Sequence, residues 1–217
     1  MPLERMTEFF ASRVDIYEEH MKSEVVGAAE GYVKMAEVLP EGIARLLDLG
    51  CGTGLELDEI YKRFPNVRTT GVDLTAAMLD VLRTKPYSDK LNLICADYFN
   101  VDFGVRQYDA AVSFETMHHF PHEEKLSLYR RICNSLKHGG VYVEADYMAA
   151  TQEDEDFYYA EYARLKALQN SGDNALYHLD APCTPLTQIR LLTNAGFTDV
   201  RQVFHKGNTI MLAARRG

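Results

Sequence analysis

A chain of 217 residues, 47% hydrophobic and 25% charged, has the composition of a globular protein and excludes disordered or fibrous classes. Its 23 lysines and arginines against 32 aspartates and glutamates leave a net charge of −9, which disfavours a phosphate-backbone partner. No apolar run reaches the roughly 18 residues of a membrane span, Met1-Pro2-Leu3-Glu4-Arg5 is not a secretory pattern, and Cys51, Cys95, Cys133 and Cys183 form no Cys-x-x-Cys pair.

These features predict a cytoplasmic protein with reduced thiols, a monomer or homodimer, with no nucleic-acid or membrane partner. In chain order, an apolar face through Tyr32 and Ala36 predicts a helix over about 24–39 that stops at Pro40, and a strand follows over 44–49. Leu57, Ile60, Tyr61 and Phe64 fall at helical spacing, so a helix runs from about 55 to 64. Strands are expected over 67–73, 91–96 and 108–114, with a helix capped by Thr75 between the first two. Pro121 opens a helix with Leu126, Tyr129, Cys133 and Leu136 on one face, closed by Gly139-Gly140 before a strand over 141–146. An acidic helix over about 153–169, a loop at Ser171-Gly172-Asp173-Asn174 and a helix from Thr184-Pro185 to Gly196 come next. Strands over 197–205 and 208–214 flank Lys206-Gly207 as an antiparallel pair. Alternating strands and helices predict an α/β chain with a parallel sheet. It reads as one domain over 1–217, with a helical arm over 1–40 and a helical insertion over 147–185.

The segment Asp48-Leu49-Gly50-Cys51-Gly52-Thr53-Gly54 lies between a buried strand and a helix. Alternate glycines let the backbone turn and approach a ligand without Cβ clashes, and the helix start offers unpaired N–H groups. The spacing is GxGxG and not the GxGxxG of pyrophosphate sites. Asp48 at the strand end repels a phosphate but suits an ammonium or sulfonium. Asp73 closes the second strand, where a carboxylate accepts from ribose hydroxyls, and Asp97 closes the third, where it could accept from an adenine amino group.

On these residues the chain resembles the class I S-adenosylmethionine-dependent methyltransferases. Asp48 to Gly54 matches that family's first motif, Gly71-Val72-Asp73-Leu74 its ribose motif and Ala96-Asp97-Tyr98 its adenine motif. The resemblance implies a Rossmann-like doubly wound seven-stranded sheet of order 3-2-1-4-5-7-6 with strand 7 antiparallel, and S-adenosylmethionine as cofactor. It places Gly50, Gly52 and Gly54 beside the methionyl part, Asp73 on the ribose, and Leu74, Asp97 and Tyr98 around the adenine. Cys51, Met78 and Phe114 complete the expected cofactor site. The arm, which carries Tyr17 and Tyr32, resembles cofactor-covering arms of small-molecule members, so both tyrosines could close over the methionine; ordinary core packing is the alternative. The implied activity is transfer of a methyl to a small-molecule acceptor.

The acceptor is expected beyond the fourth and fifth strands. His118 and His119 are the base candidates by their ordinary pKa. With His122 they suggest a metal only weakly, because no distant ligand accompanies the spacing, so no metal is expected. Glu144 and Asp146 point the same way along their strand and either reach the pocket mouth or end the strand in solvent. Ser113-Phe114-Glu115-Thr116 stands where adenine and amide methylases carry Asn/Asp-Pro-Pro-Tyr/Phe, and no Pro-Cys nucleophile is present. The aromatic-rich insertion (Tyr147, Phe157, Tyr158, Tyr159, Tyr162, Tyr177) is expected to form an acceptor lid, with Phe157, Ala160 and Leu165 packed inward. Two rival functions share this architecture: a nucleotide-dependent oxidoreductase and a non-catalytic cofactor-binding module.

Overall fold

In the computed structural model, which describes residues 4–168 and 176–217, the short apolar runs become strands. They are β1 (Arg45–Leu49), β2 (Arg68–Asp73), β3 (Leu91–Cys95), β4 (Tyr108–Phe114), β5 (Leu136–Tyr147), β6 (Phe197–Lys206) and β7 (Thr209–Arg216). They form one seven-stranded sheet of order β3-β2-β1-β4-β5-β7-β6. Pairing is parallel from β3 across to β5, and β7 runs antiparallel to both of its neighbours. Chain direction along the sheet reverses between β1 and β4, which opens a crevice at their carboxyl ends.

Helices α1 (Met6–Ser23), α2 (Ala28–Val38), α3 (Leu55–Arg63), α4 (Ala76–Leu82), α5 (His122–Ser135), α6 (Gln152–Lys166) and α7 (Pro185–Asn194) surround it. Side chains alternate across a strand, so each strand feeds two cores. Leu46 of β1 packs with Met35 of α2 and Ile60 of α3, whereas Leu47 and Leu49 join Leu128 of α5 and Leu192 of α7. Along β7, Met211 and Ala213 face the first core and Ile210, Leu212 and Ala214 the second. The helical face expected from Leu57, Ile60, Tyr61 and Phe64 is buried in full.

Local differences from the sequence reading have physical causes. The helix expected from residue 24 starts at Ala28, because Gly27 holds a left-handed φ of 91°. Ahead of it α1 occupies the arm, its start tied down by Met6 N–H to the Leu176 carbonyl (2.9 Å) and His178 N–H to the Glu4 carbonyl (3.0 Å). Thr75 stands at the N-cap of α4, but its hydroxyl makes no capping bond. Helix α5 stops at Ser135, four residues before Gly139, because Leu136 already pairs with Tyr108. Gly139, at φ 76°, lies instead in the irregular stretch before Val141 resumes pairing with Ala110.

Helix α6 is the larger correction. Phe157, expected inward, is 66% exposed, and Ala160 is exposed too, while Tyr158 and Tyr159 are half-buried. The residue of α6 that is buried is Glu155, whose carboxylate accepts from Thr184 N–H at 2.6 Å. A polar anchor, not an aromatic face, orients the helix. The expected loop at 171–174 lies outside the described residues.

Candidate active site

The glycine loop after β1 bends through left-handed geometry at Gly50 (φ 71°), Gly52 (φ 45°) and Gly54 (φ 83°). Asp73 fastens it, accepting from Gly52 N–H at 2.9 Å through one oxygen and from Thr75 N–H at 2.7 Å through the other. Beyond β3, Asp97 accepts from Phe99 N–H at 2.9 Å and so caps the turn that presents Tyr98. A cavity opens between these strand ends. Of the expected cofactor residues it is lined by Tyr17, Gly50, Gly52, Asp73, Leu74, Met78, Asp97, Tyr98 and Phe114.

Tyr32, Asp48, Cys51 and Gly54 are not in that lining. Tyr32 packs behind Phe114 with ring centroids 4.1 Å apart. Cys51 is buried in the core, and Gly54 begins α3 against Leu82. Asp48 is fully buried beneath the loop, with neither carboxylate oxygen hydrogen-bonded among the described residues. Burial, with the charge of Asp73 added, pushes its pKa up to about 8, and burial likewise raises the neighbouring Glu56. The lining includes Asp73, Asp97 and Glu115 and no lysine or arginine. Such a surface suits a cationic sulfonium nucleoside and repels a pyrophosphate. The loop meets the other requirement, since its backbone and not side chains faces the ligand.

A second cavity of about 410 Å³ adjoins the first, a size suited to a small organic ligand. Phe9, Phe10, Ile16 and Met21 of α1 give it apolar walls, and Arg13, His20, Glu115, His118, His119 and His178 line its polar side. Phe10, Tyr17, Glu115 and His119 border both cavities. α1 walls this cavity together with His178 of the insertion, and none of Tyr147, Phe157, Tyr158, Tyr159 or Tyr162 lines it. His118 and His119 lie on the turn after β4, Met117–His119. His118 Nδ1 stands 2.7 Å from Asp146 Oδ1 at the end of β5; when Asp146 is ionised that nitrogen donates to it and Nε2 keeps a lone pair. His119 Nδ1 lies 3.2 Å from Asp180 Oδ1 and 3.2 Å from the Leu179 carbonyl.

Burial dominates the electrostatics. It lowers His118 to about 4 and raises Asp146 to about 7. Burial would raise Asp180 as well, but the hydrogen bond from His119 and the histidines around it hold it at about 2. Glu115, pushed up to about 8 by burial and by the charge of Asp146, sits at φ 49°. A non-glycine residue in that region carries strain of about 1–3 kcal/mol, a mark of functional positions. Glu144 does not reach the cavity: fully buried, it accepts from Tyr142 at 3.0 Å and from Gln188.

Sequence reasoning missed Glu115, Asp180 and His178 as site residues. Glu115 had one signal, its place directly after β4. Asp180 and His178 had none, because they arrive from an extended segment without periodicity.

Comparison with known proteins bears on this geometry. A family model described as a methyltransferase domain matches residues 46–140, which carry the glycine loop, Asp73 and Asp97. Residues 46–140 are thus a methyltransferase domain, and the findings together support a class I S-adenosylmethionine-dependent methyltransferase. A carboxy-S-adenosyl-L-methionine synthase of Campylobacter fetus is similar over nearly the whole length: 23% identity over 222 residues, 95% of this chain and 93% of the relative. A malonyl–acyl-carrier-protein O-methyltransferase of Priestia megaterium is 34% identical over 89 residues, 40% of this chain and 32% of the relative. Among solved structures, DesVI of Streptomyces venezuelae shares the fold with a TM-score of 0.68 at 17% identity, over 94% of this chain and 98% of its own. Human N-acetylserotonin methyltransferase, solved with the cofactor, does so at 0.64 and 16% identity, the match spanning 97% of this chain and 55% of that one. The matched domain is that of a methyltransferase, and structures sharing its fold were solved with S-adenosylmethionine or its demethylated product bound. No helix among the described residues is long and apolar enough to cross a membrane.

Proposed function

We propose that this methyltransferase methylates an oxygen of a small, largely apolar molecule held beneath α1. One observation carries the reading: the His118–Asp146 pair, at 2.7 Å, stands in the wall of the α1 cavity beside the border with the cofactor cavity. When bound, S-adenosylmethionine supplies an electrophilic methyl that carries its own leaving group. Asp73 holds the ribose, Asp97, Leu74 and Tyr98 frame the adenine, and the backbone at Gly50 and Gly52 lies along the methionyl part. Glu115, bordering both cavities, faces the sulfonium, whose positive charge favours ionisation of its raised carboxyl. The protein's main work is near-attack alignment, with a contribution of about 7–11 kcal/mol in favourable cases. A hydroxyl must also lose its proton, and His118 Nε2 is positioned to meet it, oriented by Asp146; such help is worth about 10²–10⁴ in rate. His119 shapes the same wall. Phe9, Phe10 and Met21 exclude water from the transfer.

The length of the match to carboxy-S-adenosyl-L-methionine synthases favours a second reading, in which the cofactor itself is elaborated. The lining weighs against it, because the cofactor cavity holds no lysine or arginine and Arg13, which lines the α1 cavity, is already paired with Glu4. The test is mass spectrometry of products formed from a metabolite extract with methyl-labelled cofactor. O-methylated products that vanish with His118→Ala, while cofactor affinity stays unchanged, are expected. Labelled N- or S-methyl products, or a carboxylated cofactor, would overturn the reading.

A further inference from the structure

We infer that His118, His119 and Asp180 form a binding site for one divalent transition-metal ion of the zinc class, with an open position toward the acceptor. The inference rests on the reading that the cavity under α1 holds the acceptor, and it replaces His118 as the proton acceptor, because Nε2 bound to an ion has no lone pair left. The missing distant ligand is now in place. Asp180 Oδ1 lies 3.2 Å from His119 Nδ1 and 3.9 Å from His118 Nε2, and the three ligand atoms fall within 4.8 Å of one another. Two donors about 2.0–2.1 Å from a tetrahedral zinc ion are separated by about 3.4 Å, so these spacings bracket the edge of such a site.

The surroundings support an ion. His118 gives its Nδ1–H to Asp146, the carboxylate–histidine arrangement that orients a metal-binding imidazole. His118 and His119 are buried, yet the ion pairs that Glu115, Asp146 and Asp180 make among the described residues are with histidines only. Of these carboxylates Asp146 is buried and Glu115 nearly so, whereas Asp180 keeps 42% of its side chain exposed; an ion there would add to the positive charge that Lys125 already lends Asp146. Three protein ligands and one open position toward a cavity is the pattern of a reactive site, not of a closed structural one. An acceptor hydroxyl that occupies the fourth position is made more acidic, releases its proton to solvent, and attacks the methyl as the oxygen anion.

A rival cluster, His122, Glu155 and Cys183, has donors of similar closeness. It is disqualified by Lys125, whose buried ammonium lies 3.1 Å from Cys183 Sγ and already supplies the positive charge there. Glu155 is also engaged by Thr184.

The test is titration of chelator-treated protein with cobalt(II), followed by its visible absorption, with zinc as competitor. One equivalent with the intense bands of tetrahedral cobalt is expected. Asp180→Ala and His119→Ala should abolish the signal, and Asp146→Asn should weaken binding by about 10–100-fold. Cofactor binding and circular dichroism of each variant establish that it is folded. His122→Ala and Cys183→Ser should leave the titration unchanged. Absence of binding in the wild type, or binding that survives Asp180→Ala but is lost with Cys183→Ser, overturns the site. Full methylation by metal-free protein would remove the ion's part in the reaction while leaving His118 as the base, so the two readings fail separately.

Discussion

Asp73 shows how one side chain serves both structure and ligand. Its two oxygens each hold a backbone N–H, at Gly52 and at Thr75, and the carboxylate still faces the cofactor cavity. Asp73→Ala is expected to weaken cofactor binding by about 1.5–3 kcal/mol, the worth of hydrogen bonds to a charged group. Isothermal calorimetry measures this directly, and unchanged affinity would contradict the ribose assignment. The three glycines of the loop look alike in sequence but do not carry equal constraints. A Cβ on Gly50 would lie 2.6 Å from Thr116 Oγ1, whereas one on Gly52 meets nothing closer than Tyr17 at 3.8 Å. Gly50→Ala should therefore lower the melting temperature more than Gly52→Ala does. The Gly52 variant should instead show its defect in cofactor affinity, where the added Cβ intrudes on the ligand's path. Equal melting temperatures for the two variants would show that Thr116 yields.

At the scale of elements, the strands and most helices were legible because burial on one face imposes a period on the sequence, as in Leu46 against Leu47 and Leu49. The acids at the ends of β1, β2 and β3 were legible for a related reason: topology fixes where carboxyl ends meet. The α5–β5 boundary was not, since Leu136 fits a helix face and a strand equally well and only pairing with Tyr108 decides. Helix α6 was misread because its inward residue is a glutamate. Burial alone would raise the pKa of Glu155, but its hydrogen bonds from Thr184 hold it below the ordinary range. Glu155→Ala is expected to destabilise the protein by about 1.5–3 kcal/mol, leaving Thr184 N–H unpaired. In a chain of this size that is a fall of several degrees in Tm. No change would mean that α6 is held by its half-buried tyrosines instead. The wall of the α1 cavity stayed hidden for a further reason. Glu115, Asp180 and α1 come from three distant stretches, and nothing local to any of them marks the meeting point.

The whole molecule places an unusual number of carboxyl groups in low-dielectric surroundings, and the consequence is a direction of pH dependence. Asp48, Glu56 and Asp73 beneath and beside the glycine loop all have raised pKa values, burial first among the causes. For Asp48 the ordinary value of 3.8 becomes about 8 in the folded chain. Between those values the native state keeps a proton that the unfolded state has released, so stability is greatest below about pH 4 for this group and falls as pH rises toward about 8. Thermal melts of the ligand-free protein should accordingly give a Tm that declines from about pH 5 to about pH 8.5, and Asp48→Asn should flatten that slope. Binding of a sulfonium favours the ionised carboxyl, so cofactor binding should expel the proton and tighten across the same range. S-adenosylhomocysteine, whose sulfur is neutral, should show a weaker pH trend than S-adenosylmethionine. Equal trends for the two ligands would mean that Asp48 senses the ammonium they share and not the sulfonium. A Tm that does not change with pH in the wild type would mean that the buried carboxyls find protons or partners equally well in the unfolded chain.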